Sequence, residues 1–312
     1  MTLSWAVGAG GLLGSAVLRV SEGSGVEPWR ADRIRWGMPG ANGDLRAQLA
    51  RFVADAGDAA WQILWCAGAG VTDSDPAGLD REVDVLETFL GDVAALTPAQ
   101  RASGTLVYAS SAGAVYGGSE RAPFTERTVP VPLGHYGIAK LRAEDACRHL
   151  ALDGGVRVVV ARIANLYGPG QSPAKQQGLV SRLCRSALTR TPLSVFVALD
   201  TLRDYIYVDD CARMLLAAAE EARRSVEPFH VKIFATGRAV SVAAVLGQFK
   251  SVRIQRPLVV MGASAASRLQ GRDLRLSSEV WTHLDSLAVT TFPEGVARTL
   301  EDMRRSLARS GA

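Results

Sequence analysis

The chain has 312 residues, 48% of them hydrophobic and 21% charged, which suits a globular protein with a large buried core in one large or two smaller domains and excludes a disordered chain. Its 35 basic and 31 acidic side chains leave a formal charge of +4, with no Lys/Arg block of the kind that marks nucleic-acid or membrane partners. Such an excess fits a basic cleft for an anionic small substrate as well as an ordinary solvated surface.

In chain order, residues 3–7 predict a strand that ends in glycines, and residues 12–22 a helix. Residues 26–29 and 33–36 are two weak strand candidates. Asp44 is expected to cap a helix whose apolar positions Leu45, Leu49, Phe52 and Val53 recur near the helical period. Residues 61–67 read as a buried strand. Asp75-Pro76 opens the next helix, with Asp as N-cap and Pro at the first helical position. A strand over 105–110, a helix over 136–150 and a β-branched strand over 156–163 follow. Near-continuous apolar strands alternating with helices imply an α/β fold: a doubly wound parallel sheet of the Rossmann type, covered on both faces. Gly168-Pro169-Gly170 breaks this pattern, and Ser172-Pro173 continues the loop. A helix beginning at Asp209-Asp210 and a strand over 228–234 suit re-entry into the sheet. The expected division is a dinucleotide-binding domain over 1–168, re-entered at 204–235, and a smaller α/β substrate-binding cap over 169–203 and 236–312.

Cys66, Cys147, Cys184 and Cys211 form no CxxC pair, and His135, His149, His230 and His283 lack zinc-ligand spacing. These point to reduced thiols and no metal site. With no signal-peptide pattern and no run of about 18 apolar residues, a cytoplasmic, non-membrane protein is expected.

Gly8-Ala9-Gly10-Gly11-Leu12-Leu13-Gly14 follows the first strand and opens the first helix. Glycines three apart allow a tight turn, close approach of backbone to a pyrophosphate, and a helix N-terminus aimed at that anion; a purely structural turn is the alternative. Asp32, 24 residues after Gly8, is the candidate for the adenosine ribose of NAD. Arg30 and Arg33 flank it, and Arg33 is placed to take the 2′-phosphate of NADP. NAD is the preferred expectation.

Tyr136 and Lys140 are four apart and share one helical face. A phenol with a pKa of about 10 is a poor base at neutral pH; a nearby ammonium and a cationic nicotinamide ring both favour the phenolate. Alone, this spacing also describes a solvated helix face.

The glycine turn, 109–117 (Ala-Ser-Ser-Ala-Gly-Ala-Val-Tyr-Gly), 136–140 (Tyr-Gly-Ile-Ala-Lys), 162–170 (Arg-Ile-Ala-Asn-Leu-Tyr-Gly-Pro-Gly) and 203–210 (Arg-Asp-Tyr-Ile-Tyr-Val-Asp-Asp) stand in one order and spacing. Together they resemble the extended short-chain dehydrogenase/reductases, specifically the NAD-dependent epimerase/dehydratase family acting on nucleotide-sugars, over essentially the whole chain. The resemblance implies that Asp44 and Leu45 contact adenine, and that Ala67-Gly68-Ala69 lie along the cofactor. Ser110 and Ile163 are further expected cofactor contacts. It also implies that Asn165, Arg203 and Arg272 hold the substrate diphosphate, for which planar guanidinium groups are suited. A salt bridge to Asp204 or Asp210 is the structural alternative for Arg203. The family's serine or threonine that hydrogen-bonds the reacting oxygen is here Ala112, on the substrate side, with Ser111 adjacent. Loss of such a donor typically costs about 10²-fold or more.

The leading expectation is an enzyme that oxidises and re-reduces a sugar hydroxyl through Tyr136 and Lys140, with Ser111 as donor. An NADPH-dependent ketosugar reductase and a cofactor-binding protein that has lost turnover are the alternatives. Homodimerisation is implied through the segments around 75–96 and 134–150, although Val83, Leu86, Leu90 and Val93 also suit packing on the sheet.

Overall fold

The structure, a computed structural model, describes residues 1–71, 74–171, 178–251, 256–262 and 271–310. The glycine turn joins β1 (Thr2–Val7) to α1 (Leu12–Ser21), and β2 (Val26–Pro28) leads to α2 (Ala41–Ala56). Next come β3 (Trp61–Trp65), α3 (Pro76–Ala94), a short α4 (Pro98–Ala102), β4 (Gly104–Ser111) and the single turn α5 (Ala112–Val115). A long α6 (His135–Leu152) then precedes β5 (Arg157–Ile163). Beyond it lie β6 (Asn165–Tyr167), α7 (Leu179–Thr189), β7 (Leu193–Val195), β8 (Leu202–Arg203) and β9 (Tyr205–Tyr207). The chain continues through α8 (Val208–Arg224) and β10 (Phe229–Phe234) to β11 (Val240–Ser241), α9 (Val242–Ser251), β12 (Val259–Met261), β13 (Asp273–Leu274) and α10 (Phe292–Ser310).

Six strands form one parallel sheet in the order β10-β5-β4-β3-β1-β2. Successive side chains leave opposite faces of a strand, and here both faces are covered. Trp5, Ile63, Tyr108 and Val160 pack with α2, α3 and α6, whereas Ala6, Leu64, Val107 and Val159 pack with α1 and α8. This double burial explains why the strands read as apolar throughout, and each large side chain so buried is worth roughly 1.5–3 kcal/mol. Val83, Leu86, Leu90 and Val93 are all buried in the α2/α3/α6 layer, so their apolar character is accounted for within one chain. Asp75 caps α3 as expected, its carboxylate accepting the Gly78 N–H at 3.1 Å.

Two expectations near the sheet edge are corrected. Residues 33–36 are not a strand. Trp29 N–H donates inward to Ser4 O, so the neighbouring amide position that faces the outer edge belongs to Pro28, which has no N–H to offer a further strand. Among the described residues the sheet has no strand beyond β2, where the dinucleotide-binding order 3-2-1-4-5-6 would place one. Asp44 is not the N-cap of α2; Gly40 is, and Asp44 lies in the first turn.

The chain does return to the sheet: β10 pairs with β5 from Phe229↔Val158 to Phe234↔Ile163. Its other edge is covered in part by Glu126, whose Oε1 accepts the Ile233 N–H at 2.8 Å. A separate layer surrounds Tyr167, Leu183, Val245, Phe249, Val296 and Leu300. Its small sheets are β11-β8-β13 and β12-β7, while β6 pairs with β9. Ser172-Pro173 lies outside the described residues. Among the described residues no helix is long and apolar enough to cross a membrane.

Candidate active site

Because β1, β3, β4 and β5 run parallel, their C-terminal ends share one sheet edge. The glycine turn, Ala67–Ala69, Ser110-Ser111 and Ile163 all gather there. Gly8 has φ +89°, and a Cβ on it would stand 2.7 Å from the Ala67 backbone. A Cβ on Gly14 would stand 2.3 Å from Gly8 O. The turn is thus wedged against the loop after β3 at backbone contact distance, which glycine alone permits. Gly11 caps α1 without a side-chain hydrogen bond, and no acidic residue occupies the first turn, which contains Leu12, Leu13 and Gly14. A helix N-terminus presented in this way fits the diphosphate of a dinucleotide.

At the expected adenosine end, both candidate carboxylates are engaged by arginines. Asp32 is exposed and ion-paired with Arg51, whose hydrogen bond holds its carboxyl below the usual carboxylate range. Arg33 is exposed beside it. Asp44 accepts Arg35 Nε at 2.9 Å, Nη2 at 2.6 Å and the Arg35 N–H at 3.0 Å, and its pKa falls to about 2. The Leu45 side chain is buried with Trp5, Trp29 and Phe52, so only its backbone is left to meet a ligand.

Tyr136 and Lys140 come together at the N-terminal part of α6, around a small cavity of about 30 Å³ shared with Ala67 and Tyr108. Lys140 Nζ donates to Tyr108 OH at 3.2 Å and to Ala109 O at 3.0 Å, and lies 5.7 Å from the centre of the Tyr136 ring. Burial opposes the Lys140 charge, but the Tyr108 and Tyr136 phenols outweigh it, and its pKa lies above the ordinary lysine range. Burial pushes the Tyr108 phenol up to about 12 despite the ammonium. Lys140 is therefore a fixed cation beside the Tyr136 ring.

Ser111 Oγ caps α5 by accepting the Ala114 N–H at 3.4 Å. Acting as acceptor there, its O–H proton is left to donate elsewhere. Ala112 is fully buried among Tyr116, Phe124, Ile233 and Leu274 and presents no donor. Ser110 points the other way: its hydroxyl donates at 2.5 Å to Glu144, so its backbone is what remains for a cofactor. Glu144 is bridged to Arg162 at 2.7 Å, with both side chains below a tenth exposed. Arg162 Nη1 donates to Tyr116 OH at 2.6 Å, and Tyr116 OH donates to Thr125 O at 2.9 Å. This network joins the ends of β4 and β5 to α6.

On the cap side, Asn165 is exposed, with its N–H and Nδ2 donating to Asp204 O at 3.0 and 3.1 Å. Arg203 is buried, and Nη1 donates to Leu202 O at 2.8 Å and to Arg272 O at 3.5 Å. The salt-bridge alternative does not hold: Asp204 is taken by Thr236 and Arg238, and Asp210 by Arg213 and Thr290. Among the described residues no carboxylate forms an ion pair with Arg203; burial draws its pKa down, against the more distant pull of Asp273, which is itself bridged to Arg275. Arg272 is exposed and ion-paired with Asp200.

Glu82, Tyr108, Glu144 and Arg162 were not singled out from the sequence. Glu144 had a visible signal, four residues after Lys140 on the same helical face, and Arg162 was a charge inside a β-branched strand. The position of Tyr108 depends on strand pairing, which one sequence does not reveal.

With a Rossmann-type sheet, a glycine turn and a tyrosine–lysine pair at its C-terminal edge, the molecule is in the class of dinucleotide-binding α/β proteins. Residues 6–233 match the NAD dependent epimerase/dehydratase family, and the chain belongs to that family. It is similar to the dTDP-4-dehydro-6-deoxyglucose reductase of Escherichia coli, at 30% identity over 115 residues, 37% of this chain and 36% of that protein. The match thus spans about a third of that relative's length. The fold is shared with MoeE5 in complex with UDP-glucuronic acid and NAD, with a TM-score of 0.76, 24% identity and coverage of 97% of this chain and 99% of that one. It is also shared with UDP-glucose 4-epimerase from Thermotoga maritima with UDP-glucose, with a TM-score of 0.76, 21% identity and coverage of 98% and 100%.

Proposed function

We propose that this chain is an enzyme that binds NAD, oxidises a hydroxyl of a nucleotide-sugar to a ketone and returns the hydride to the sugar, directly or after rearrangement, as an epimerase or dehydratase does. The observation that carries the reading is Lys140, held by Tyr108 and Ala109 O beside the Tyr136 ring at the edge where the glycine turn lies. A bound nicotinamide would supply hydride acceptance and return. Tyr136, as phenolate, takes the hydroxyl proton; Lys140 stabilises that phenolate by its charge and offers its remaining proton to a ribose hydroxyl. Ser111, with its O–H proton free of the cap, donates to the reacting oxygen. Asn165, Arg203 and Arg272 bind the substrate diphosphate, with buried Arg203 the cation most in need of an anion.

In this reading residues 1–168 and 204–235 hold the cofactor, and residues 169–203 and 236–312 hold the sugar. Homodimerisation would use the outward faces of α3 and α6, where Arg142 bridges Asp84 and Glu87. Four free thiols support a cytoplasmic setting.

A second reading, an NADPH-dependent ketosugar reductase, is favoured by one observation: Asp32 is neutralised by Arg51 and flanked by exposed Arg30 and Arg33. Denaturing the purified protein and weighing the released dinucleotide separates them. Retained NAD supports the self-regenerating enzyme, and an empty protein that prefers NADP supports the reductase. Failure to bind either sinks both.

A further inference from the structure

Glu82 projects from α3 into the cavity that holds Tyr136, Lys140 and Tyr108, and the chemistry above makes no use of it. Its helical neighbours Leu79, Val83 and Leu86 are buried against the sheet, so this carboxylate is turned toward protein and is half-buried. Both oxygens are held by backbone: the Ala69 N–H donates to Oε1 at 2.8 Å and the Gly70 N–H to Oε2 at 3.3 Å. A Cβ on Gly70 would stand 2.5 Å from Leu79 Cδ2, 3.2 Å from Glu82 Oε2 and 3.6 Å from Tyr136 Cδ2. The backbone at position 70 therefore passes between the carboxylate and the phenol ring, in a space that a side chain would fill.

Lys140 creates an electrostatic problem in the proposed site. Its ammonium supports a phenolate, but it repels the cationic ring of an oxidised nicotinamide. We infer that Glu82 is a positioning residue whose fixed negative charge offsets Lys140 and makes the site favour the oxidised form of the cofactor over the reduced, neutral form. The inference rests on the cofactor reading above. A unit charge about 6 Å away, in a half-exposed site with an effective dielectric of about 40, between those of protein and water, shifts such an equilibrium by roughly tenfold. A firmer hold on the oxidised form also favours return of hydride to the sugar, as a site that restores its own cofactor requires.

The test is binding, measured on the full chain stripped of nucleotide. Dissociation constants for NAD⁺ and NADH are obtained by tryptophan fluorescence quenching for the unaltered protein, Glu82→Gln and Glu82→Asp, with thermal melting as the check on folding. Glu82→Gln should lower the preference for NAD⁺ over NADH by roughly tenfold. Glu82→Asp, which keeps the charge, should hold the ratio within about threefold, and this arm stands even if the Gln variant does not fold. Equal weakening of both forms in Glu82→Gln means that Glu82 only holds the loop, and overturns the inference, as does an unmoved ratio or its collapse in Glu82→Asp. Unaltered protein that binds neither form defeats the cofactor reading itself, a result distinct from these.

Discussion

The two ends of the sheet edge handle charge in opposite ways. Near Tyr136 and Lys140, Glu144 and Arg162 form a buried pair whose spare donors and acceptors are met by Ser110 and Tyr116. Beside β2, Asp32–Arg51 and Asp44–Arg35 have at least one exposed partner and are wetted by solvent. Water screens the second kind and leaves its members free to exchange partners, whereas the first kind cannot lose one member without stranding a charge. The Tyr136 end is thus prebuilt, and the β2 end is open to rearrangement.

The largest effect should come from stranding a charge. Glu144→Ala leaves Arg162 buried and unpaired and should cost about 3–5 kcal/mol in urea denaturation, with Glu144→Leu/Arg162→Met recovering much of it. A loss below about 1 kcal/mol would break the contrast between the two ends. Tyr136→Phe should lower turnover of a nucleotide-sugar by about 10²–10⁴-fold while the dinucleotide still binds. Loss of dinucleotide binding in that variant would mean the phenol is structural. Arg203→Leu sharpens the comparison from the cap side: if the proposed function holds, calorimetric affinity for a nucleotide-sugar should fall by about tenfold or more, while stability holds or rises because a buried cation with no carboxylate in contact is removed. Stability that falls along with affinity would show a partner the cation already has.

The smallest effect lies in the exposed pairs. Asp44 has its pKa depressed to about 2 by Arg35, so its contribution is present above the ordinary carboxylate value near 3.8 and is lost as pH falls toward 2. Trp36, next to Arg35 and edge-on to Trp65 at 6.2 Å, reports on this loop. Its fluorescence should change over that acid range, ahead of global unfolding, and Arg35→Gln should abolish the early change.

Much of this was legible in the sequence where the signal is local. Apolar and β-branched runs placed β1, β3 and β5, helical patterning placed α1 and α6, and the Asp75-Pro76 pair located a helix start, because cap chemistry acts within three residues. The glycine turn and the Tyr136/Lys140 spacing were readable for the same reason. Long-range facts were not. Residues 33–36 look like a strand until one sees that Pro28 occupies the outward amide position of its neighbour. Asp44 looks like a cap, since Asp is a common one, but Arg35 claims it. Arg203 had two carboxylates close in sequence, yet each carboxylate had been taken by residues far along the chain, Thr236 and Thr290 among them.

The re-entrant strand has a consequence for synthesis on the ribosome. β5 is complete at Ile163, but its sheet neighbour β10 is finished only at Phe234. While the intervening residues are being made, Val158, Val159 and Val160 form an apolar strand with one unpaired edge, the kind of surface that recruits foreign strands. β10 closes that edge, and its Lys232 is then fastened to Ser278, Val280 and Asp285, residues translated later still. A chain truncated before residue 229 should therefore aggregate rather than accumulate as a folded dinucleotide-binding half, and the interval between the two strands is when a nascent-chain chaperone matters most.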